Sequence, residues 1–264
     1  TYPDEYTEGE AILSAIEEKE ALHDSLWMDG NVKPNDPAVV GFKEDMDALE
    51  KETIMSNPLL KQAPIVFVTR QQYQQDHHNT HNMLPSTDGE INSSSYLPGG
   101  TIKVIDFAKD GEVSTLKSTD TGVFRDPDVS YDGDKILISY RHQWANDSYN
   151  IWEYTLNDEK NAIVDEKQLT QMYTADHMDP MYMPSGNIVF AGTRDPKYVM
   201  CNRHISANLY RMEGDGANIV KITNSTLFER PTDVLPDGRI LYDRWEYNDR
   251  DFGSAQGLWT VAEE

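Results

Sequence analysis

The chain has one cysteine, Cys201, in 264 residues, which leaves no internal disulfide framework to build on. No Cys-x-x-Cys-His occurs, so the chain attaches no c-type haem by itself. No apolar run approaches the ~18 residues of a membrane-spanning helix. Runs such as Ile65 to Val68 are of strand length. Basic residues are scarce: 23 Lys and Arg face 46 Asp and Glu, a formal net charge of -23. That deficit argues against nucleic acid, whose phosphates need a basic surface, and against an anionic membrane surface. No Gly-x-Ser-x-Gly elbow and no pair of catalytic carboxylates stands out, which weakens a hydrolase reading. Thr1-Tyr2-Pro3-Asp4 shows no initiator Met, basic n-region or apolar h-region, so the expectation is a removed leader or an internal segment.

What is present divides near residue 62. Residues 1–62 hold 15 acids and 5 lysines, with no strand-like alternation. Ile12, Leu13, Ile16, Leu22 and Leu26 recur at helical spacing and predict a helix over 9–27. Val39, Phe42, Met46 and Leu49 predict a second over 38–54, with Pro34 and Pro37 between the two. The segment reads as a helical arm or linker.

From residue 63 the pattern is β and it repeats. Arg125-Asp126-Pro127 is followed by Tyr131-Asp132-Gly133-Asp134, Ile136-Leu137-Ile138 and Tyr140-Arg141. Asp179-Pro180 is followed by Pro184-Ser185-Gly186, Ile188-Val189-Phe190 and Thr193-Arg194. Arg230-Pro231 is followed by Pro236-Asp237-Gly238, Ile240-Leu241-Tyr242 and Arg244. Ile65 to Arg70, then Thr101 to Asp106, reads as a partial first copy. The Asp-Gly and Ser-Gly pairs supply the positive φ of tight hairpins. A four-stranded antiparallel unit repeated every ~40–50 residues is the sequence form of a β-propeller blade. The expected fold is mainly β: about four blades, near 63–118, 126–170, 179–223 and 230–261, after the helical arm of 1–62. The incomplete first and last blades lead us to expect a larger propeller, the other option being an open or four-bladed assembly.

Several longer runs resemble a known family. They include Asp195-Pro196-Lys197-Tyr198-Val199-Met200-Cys201-Asn202-Arg203-His204, Ala207-Asn208-Leu209-Tyr210-Arg211-Met212 and Ser225-Thr226-Leu227-Phe228-Glu229. Leu235 to Tyr247, Asp249 to Thr260, Asp76-His77-His78-Asn79-Thr80 and Pro98-Gly99-Gly100 extend the match to about 58–261. Together they resemble the hydrazine synthase alpha-subunit-like family. The resemblance implies a middle-domain propeller with TolB-like blades, in a bacterial, periplasmic or otherwise extracytoplasmic protein. It also implies a haem-bearing domain or subunit as partner, supplying the haem c that this chain does not attach, and an oxidoreductase if the protein is catalytic. Two positions depart from the family pattern: Val199 stands where a cysteine is frequent, and Pro231 near where a histidine is frequent.

Three groups of residues carry candidate chemistry. Asp76, His77, His78 and His81 concentrate three of the 7 histidines, and His78 and His81 have a spacing that suits a metal. The competing reading is a loop whose imidazoles cap backbone groups. Cys201 and His204 form half of a zinc-type site; a lone Cys also serves as a small buried hydrophobe, and a Cys–His nucleophile would need an orienting group. Arg70, Arg141, Arg194 and Arg244 recur after each second strand. They read either as structural partners of Asp126, Asp179 or Asp233 in a neighbouring blade, or as a cationic ring able to hold an anionic small molecule. Zinc and calcium are the candidate ions. Asp132, Asp134, Asp215 and Asp237 supply calcium-type oxygens without EF-hand spacing, and the tight turns already account for them. Beside the redox module stands a second reading, a non-catalytic propeller that binds a small ligand, a saccharide or a protein.

Overall fold

The computed structural model describes residues 8–28, 32–71, 98–143, 147–195, 197, 205–246 and 256–263. The chain divides into two compact units: Thr1–Ile65 with Ile105–Val113, and Val66–Val104 with Ser114–Glu264.

The first unit is helical. Helix α1 spans Gly9–Trp27 and α2 spans Pro37–Ser56, within two residues of the spans predicted from spacing. Pro37 opens α2, where its missing N–H costs nothing and its fixed φ suits the first turn. The two helices meet through a stacked His23–Trp27 pair, 4.6 Å between centroids, with Phe42 edge-on to Trp27 at 5.7 Å. Lys19 also pairs with Asp45 across the hairpin. Ile12 is the buried residue of α1 and Val39 that of α2. Asn57 ends α2 and its side chain accepts from the Leu59 N–H, starting a 3-10 turn over Pro58–Lys61.

The second unit is built from antiparallel sheets. The first comprises β1 (Ile65–Arg70), β2 (Gly100–Asp106) and β3 (Glu112–Thr119). The second comprises β4 (Val123–Val129), β5 (Lys135–Arg141), β6 (Asn150–Leu156) and β7 (Ile163–Gln168). The third comprises β8 (His177–Tyr182), β9 (Ile188–Gly192), β10 (Asn208–Met212) and β11 (Val220–Lys221). The fourth comprises β12 (Glu229–Val234), β13 (Ile240–Trp245) and β14 (Gln256–Val261). Every sheet follows chain order from strand to neighbouring strand.

The repeat extends to individual hydrogen bonds. Gly133, Gly186 and Gly238 sit at φ 68, 88 and 84, and each donates its N–H three residues back, to Ser130, Met183 and Leu235. Only a residue free to adopt the left-handed region closes such a turn without strain. Past the turn the first strands also share an irregularity. The β4–β5 register slips between Arg125 and Asp128, β8–β9 between Met178 and Met181, and β12–β13 between Pro231 and Asp233. Asp126 and Asp179 lie in the left-handed region at φ 52 and 50, each just before a proline. Asp tolerates that conformation better than most side chains. The proline has no N–H to give a ladder, so a bulge is where a paired strand can hold it.

The sheets pack face to face in chain order. Ile136, Ile138 and Phe124 of the second sheet join Ile102 of the first. From the other faces of β5 and β6, Leu137 and Ile151 meet Ile188 and Phe190 of the third. Val189 and Leu209 of the third meet Ile240 and Tyr242 of the fourth. The second and third sheets are therefore covered on both faces, so β5 and β9 read as continuous apolar runs rather than alternating ones. On the fourth sheet Leu258 is 69% exposed.

Candidate functional site

Each sheet has two dissimilar ends. In the second, third and fourth sheets tight turns join the first strand to the second, while the connections after β5, β9 and β13 run from His142, Thr193 and Glu246 to the third strand. The connection after β1 likewise leaves from Gln71. Antiparallel pairing puts these longer connections at the end opposite the tight turns, together with the crossings from one sheet to the next. Asp76, His77, His78 and His81, and Cys201 and His204, lie outside the described residues. Among the described residues no three His, Cys, Asp or Glu side chains come together as a metal ligand set.

The recurrent arginines sit at this same end, with different partners. Arg70 is exposed at the end of β1. Arg141 is buried, and its Nε donates to the Gln143 carbonyl at 3.0 Å. Arg194 places Nη1 3.4 Å from His177 Nε2. A guanidinium only donates, so Nε2 accepts and the proton of the neutral ring sits on Nδ1. Arg244 reaches Glu246 at 3.1 Å and Glu229 at 3.9 Å, and lies 5.0 Å over the Trp259 ring.

Two of the three carboxylates expected to pair with those arginines, Asp126 and Asp179, are met by two others, while Asp233 accepts the Val234 N–H. Arg230 grips Asp179 with two bonds, Nε to Oδ2 at 2.7 Å and Nη2 to Oδ1 at 2.6 Å. Arg125 donates to Asp126 at 3.2 Å and stands 4.0 Å from Asp179. Its guanidinium also lies 5.5 Å over the Tyr149 ring. The Asp179 N–H donates to Ser139 Oγ at 3.1 Å. Asp126, Asp179 and Arg230 each precede the proline of their own copy, so one position in three successive first strands forms one cluster, with Asp179 buried and the other two half-buried. Burial, then the nearby Asp179 charge, raises the Asp126 carboxyl against the pull of Arg125. Burial also acts to raise Asp179, but Arg230 and Arg125 outweigh it and hold that carboxyl below its usual value. The pair therefore keeps a proton on Asp126 before Asp179. The geometry is that of an internal clamp across three sheets, with both charges of each sign engaged.

Further titratable groups, buried or half-buried, gather at the long-connection end. Burial pushes Asp176 up to about 6, although its carboxylate accepts the Tyr149 N–H at 2.9 Å. Burial, then the Arg194 charge, pushes His177 down to about 3. Glu229 is fully buried, and its Oε2 accepts from Asn208 Nδ2 at 2.6 Å and from the Thr223 hydroxyl. Lys197 is lowered to about 8 by burial, and its ammonium donates to the Ser225 and Leu227 carbonyls. Shifted titratable groups at one end of a fold, here Asp176, His177 and Lys197 in addition to the buried Glu229, mark a candidate site. None of these four, nor Arg125 and Arg230, was singled out from sequence as a site residue. The available signal was Arg230 standing before a proline where the earlier copies have aspartate.

No family model matches the sequence, and no curated protein matches it. Among solved structures the chain resembles hydrazine synthase of Kuenenia stuttgartiensis, with a TM-score of 0.53 at 17% identity. The likeness is one of fold. It covers 76% of this chain and 30% of that one, so the chain spans under a third of the length of the protein it matches. A TolB structure from Agrobacterium tumefaciens aligns at 16% identity and TM-score 0.41, over 58% of this chain and 48% of that one. The β-propeller domain of the Trilobed protease from Pyrococcus furiosus aligns at 14% and 0.39, over 63% and 48%.

Proposed function

We propose that the chain is a β-propeller module of the hydrazine synthase alpha-like kind, with TolB-like blades, working inside a larger extracytoplasmic haem- or metal-dependent redox protein. The observation that carries this reading is the succession of antiparallel sheets packed face to face, whose fold aligns with hydrazine synthase over most of the chain. The exposed Leu258 on the fourth sheet suits a further blade or domain packing there. The module's own role is to position: the clamp fixes the sheets to one another, and the long connections shape one face of the site.

A c-type haem bound by this chain does not fit, because no attachment motif is present. Haem chemistry is therefore assigned to a partner domain or subunit. His77, His78 and His81 with Asp76, and Cys201 with His204, are the residues proposed to hold a metal such as zinc; calcium is the alternative ion for the acidic loops. The test is elemental analysis and a visible spectrum on natively purified protein. Stoichiometric metal that disappears in His78→Ala, His81→Ala or Cys201→Ala, or a Soret band from a co-purifying haem partner, is the expected outcome. A colourless, metal-free preparation overturns the redox reading for this chain.

A further inference from the structure

At the long-connection end of the second sheet lies a polar cleft of about 360 Å³. His142, Gln143 and Asp147 line one side, and Gln168, Gln171 and Tyr173, at and after the end of β7, line the other. We propose that this cleft binds a neutral polyhydroxylated ligand, such as the end of a saccharide.

The walls are fixed before any ligand arrives. Asp147 accepts the backbone N–H groups of His142, Gln143 and Ser148 at 3.0, 3.3 and 2.8 Å. Asn150 is buried and ties one wall to the other. Its Nδ2 donates to the Ser148 and Met172 carbonyls, and its Oδ1 accepts from the Met172 N–H and the Thr170 hydroxyl. Ser148 Oγ donates across to the Tyr173 carbonyl at 3.0 Å. A frame tied in this way loses little entropy when a ligand binds.

The groups left over set the ligand chemistry. Among the described residues no Lys or Arg lines the cleft, and its one imidazole, His142, packs against Tyr140 and Trp152, so an anion finds no permanent counter-charge. The one carboxylate, Asp147, already has both oxygens engaged by backbone donors, which leaves little for a cation. The side-chain amides of Gln143 and Gln171 make no hydrogen bond among the described residues, and each offers a donor and an acceptor. Tyr173 lies beside them, 71% exposed, with an open ring face and a phenol. Paired donors and acceptors beside an aromatic face match the alternating O–H and C–H surfaces of a sugar. In a chain of net charge -23, a cleft without a free charge stands out from its surroundings.

This inference does not rest on the redox reading, since a metal-free protein would keep the cleft. Saturation-transfer NMR on the full chain, with glucose, N-acetylglucosamine and glucuronate as probes, tests it. Transfer to the C–H protons of at least one neutral sugar is expected, with glucuronate binding no tighter. Tyr173→Ala and Gln171→Ala are each expected to weaken the neutral sugar about tenfold, the equivalent of one lost hydrogen bond or contact. Tyr131→Ala, a comparably exposed tyrosine in the β4–β5 turn, is expected to change nothing. All three sites are on the surface, and an unchanged unfolding midpoint verifies that the variants fold. Absence of transfer from both neutral sugars, binding of glucuronate alone, or full binding by both cleft variants overturns the proposal.

Discussion

Helices α1 and α2, 19 and 20 residues long, bury one residue each, Ile12 and Val39. Strand β5 is 7 residues long and buries all but its first. Both regions were recognisable from apolar spacing, yet they draw on different sources of stability. An isolated helix of this length is marginal in water and needs tertiary contacts to persist. The aromatic trio of His23, Trp27 and Phe42 and the Lys19–Asp45 pair supply such contacts. The second and third sheets, by contrast, share buried side chains on both faces and hydrogen bonds along every ladder. Local opening should therefore be far more frequent in the helices than in the second and third sheets.

The sharpest test of that contrast removes a charge from the β unit. Asp179→Ala leaves the half-buried Arg230 without its carboxylate and the buried Arg125 with Asp126 alone, and breaking a buried pair costs up to about 3–5 kcal/mol. Urea unfolding should show that loss, and a change near zero would mean that the clamp is solvated. Phe190→Ala, deep between the second and third sheets, should cost a similar ~3–5 kcal/mol through the cavity it leaves. The corresponding change in the helices, Val39→Ala, removes only two carbons and should cost about 1–2 kcal/mol. Equal losses at the two positions would dissolve the comparison.

A smaller effect comes from pH. His177 is held neutral to about 3, whereas the unfolded chain protonates it near the ordinary imidazole value of 6.5. Its contribution to stability is lost as pH falls through that window. Asp176 runs the other way. Its folded value of about 6 lies above the unfolded 3.8, so the folded state binds the extra proton and gains stability as pH falls from about 6 towards 4. The two neighbours oppose each other in the intact protein. Urea titrations across this range should show His177→Gln resisting acid better than the parent and Asp176→Asn resisting it worse. Parallel slopes in all three proteins would contradict both shifts.

The smallest expected change is in α2. A Cβ added at Gly41 meets nothing within 4 Å. Gly41→Ala should therefore stabilise the helix by about 0.5–1 kcal/mol through backbone entropy alone. Slower amide exchange across α2, with the sheets unchanged, would support the view that the helices are limited by their own propensity.

Much of the architecture is legible in the sequence. Turn glycines 133, 186 and 238 and the prolines 127, 180 and 231 mark equivalent points of successive sheets, because φ and N–H requirements act locally on single residues. The long-range charge pairing was not visible. Repetition drew attention to Arg141, Arg194 and Arg244, yet the buried carboxylates are met by Arg125 and Arg230, whose roles depend on which residues the bulges at Asp126 and Asp179 bring together. Glu229 and Lys197 were likewise hidden, since their burial depends on how neighbouring sheets and connections pack around them. His77, His78, His81, Cys201 and His204 belong to connections, where strand periodicity carries no information on side-chain placement.

The clamp also imposes an order on synthesis. Asp126 emerges from the ribosome first, Asp179 follows 53 residues later, and Arg230 follows 51 residues after that. Until the last of them is available, two carboxylates face each other with Arg125 as their one guanidinium. A nascent chain arrested before residue 229 should hold its second and third sheets loosely and sort them into place only when the fourth arrives, which makes the final sheet the latch on those made before it.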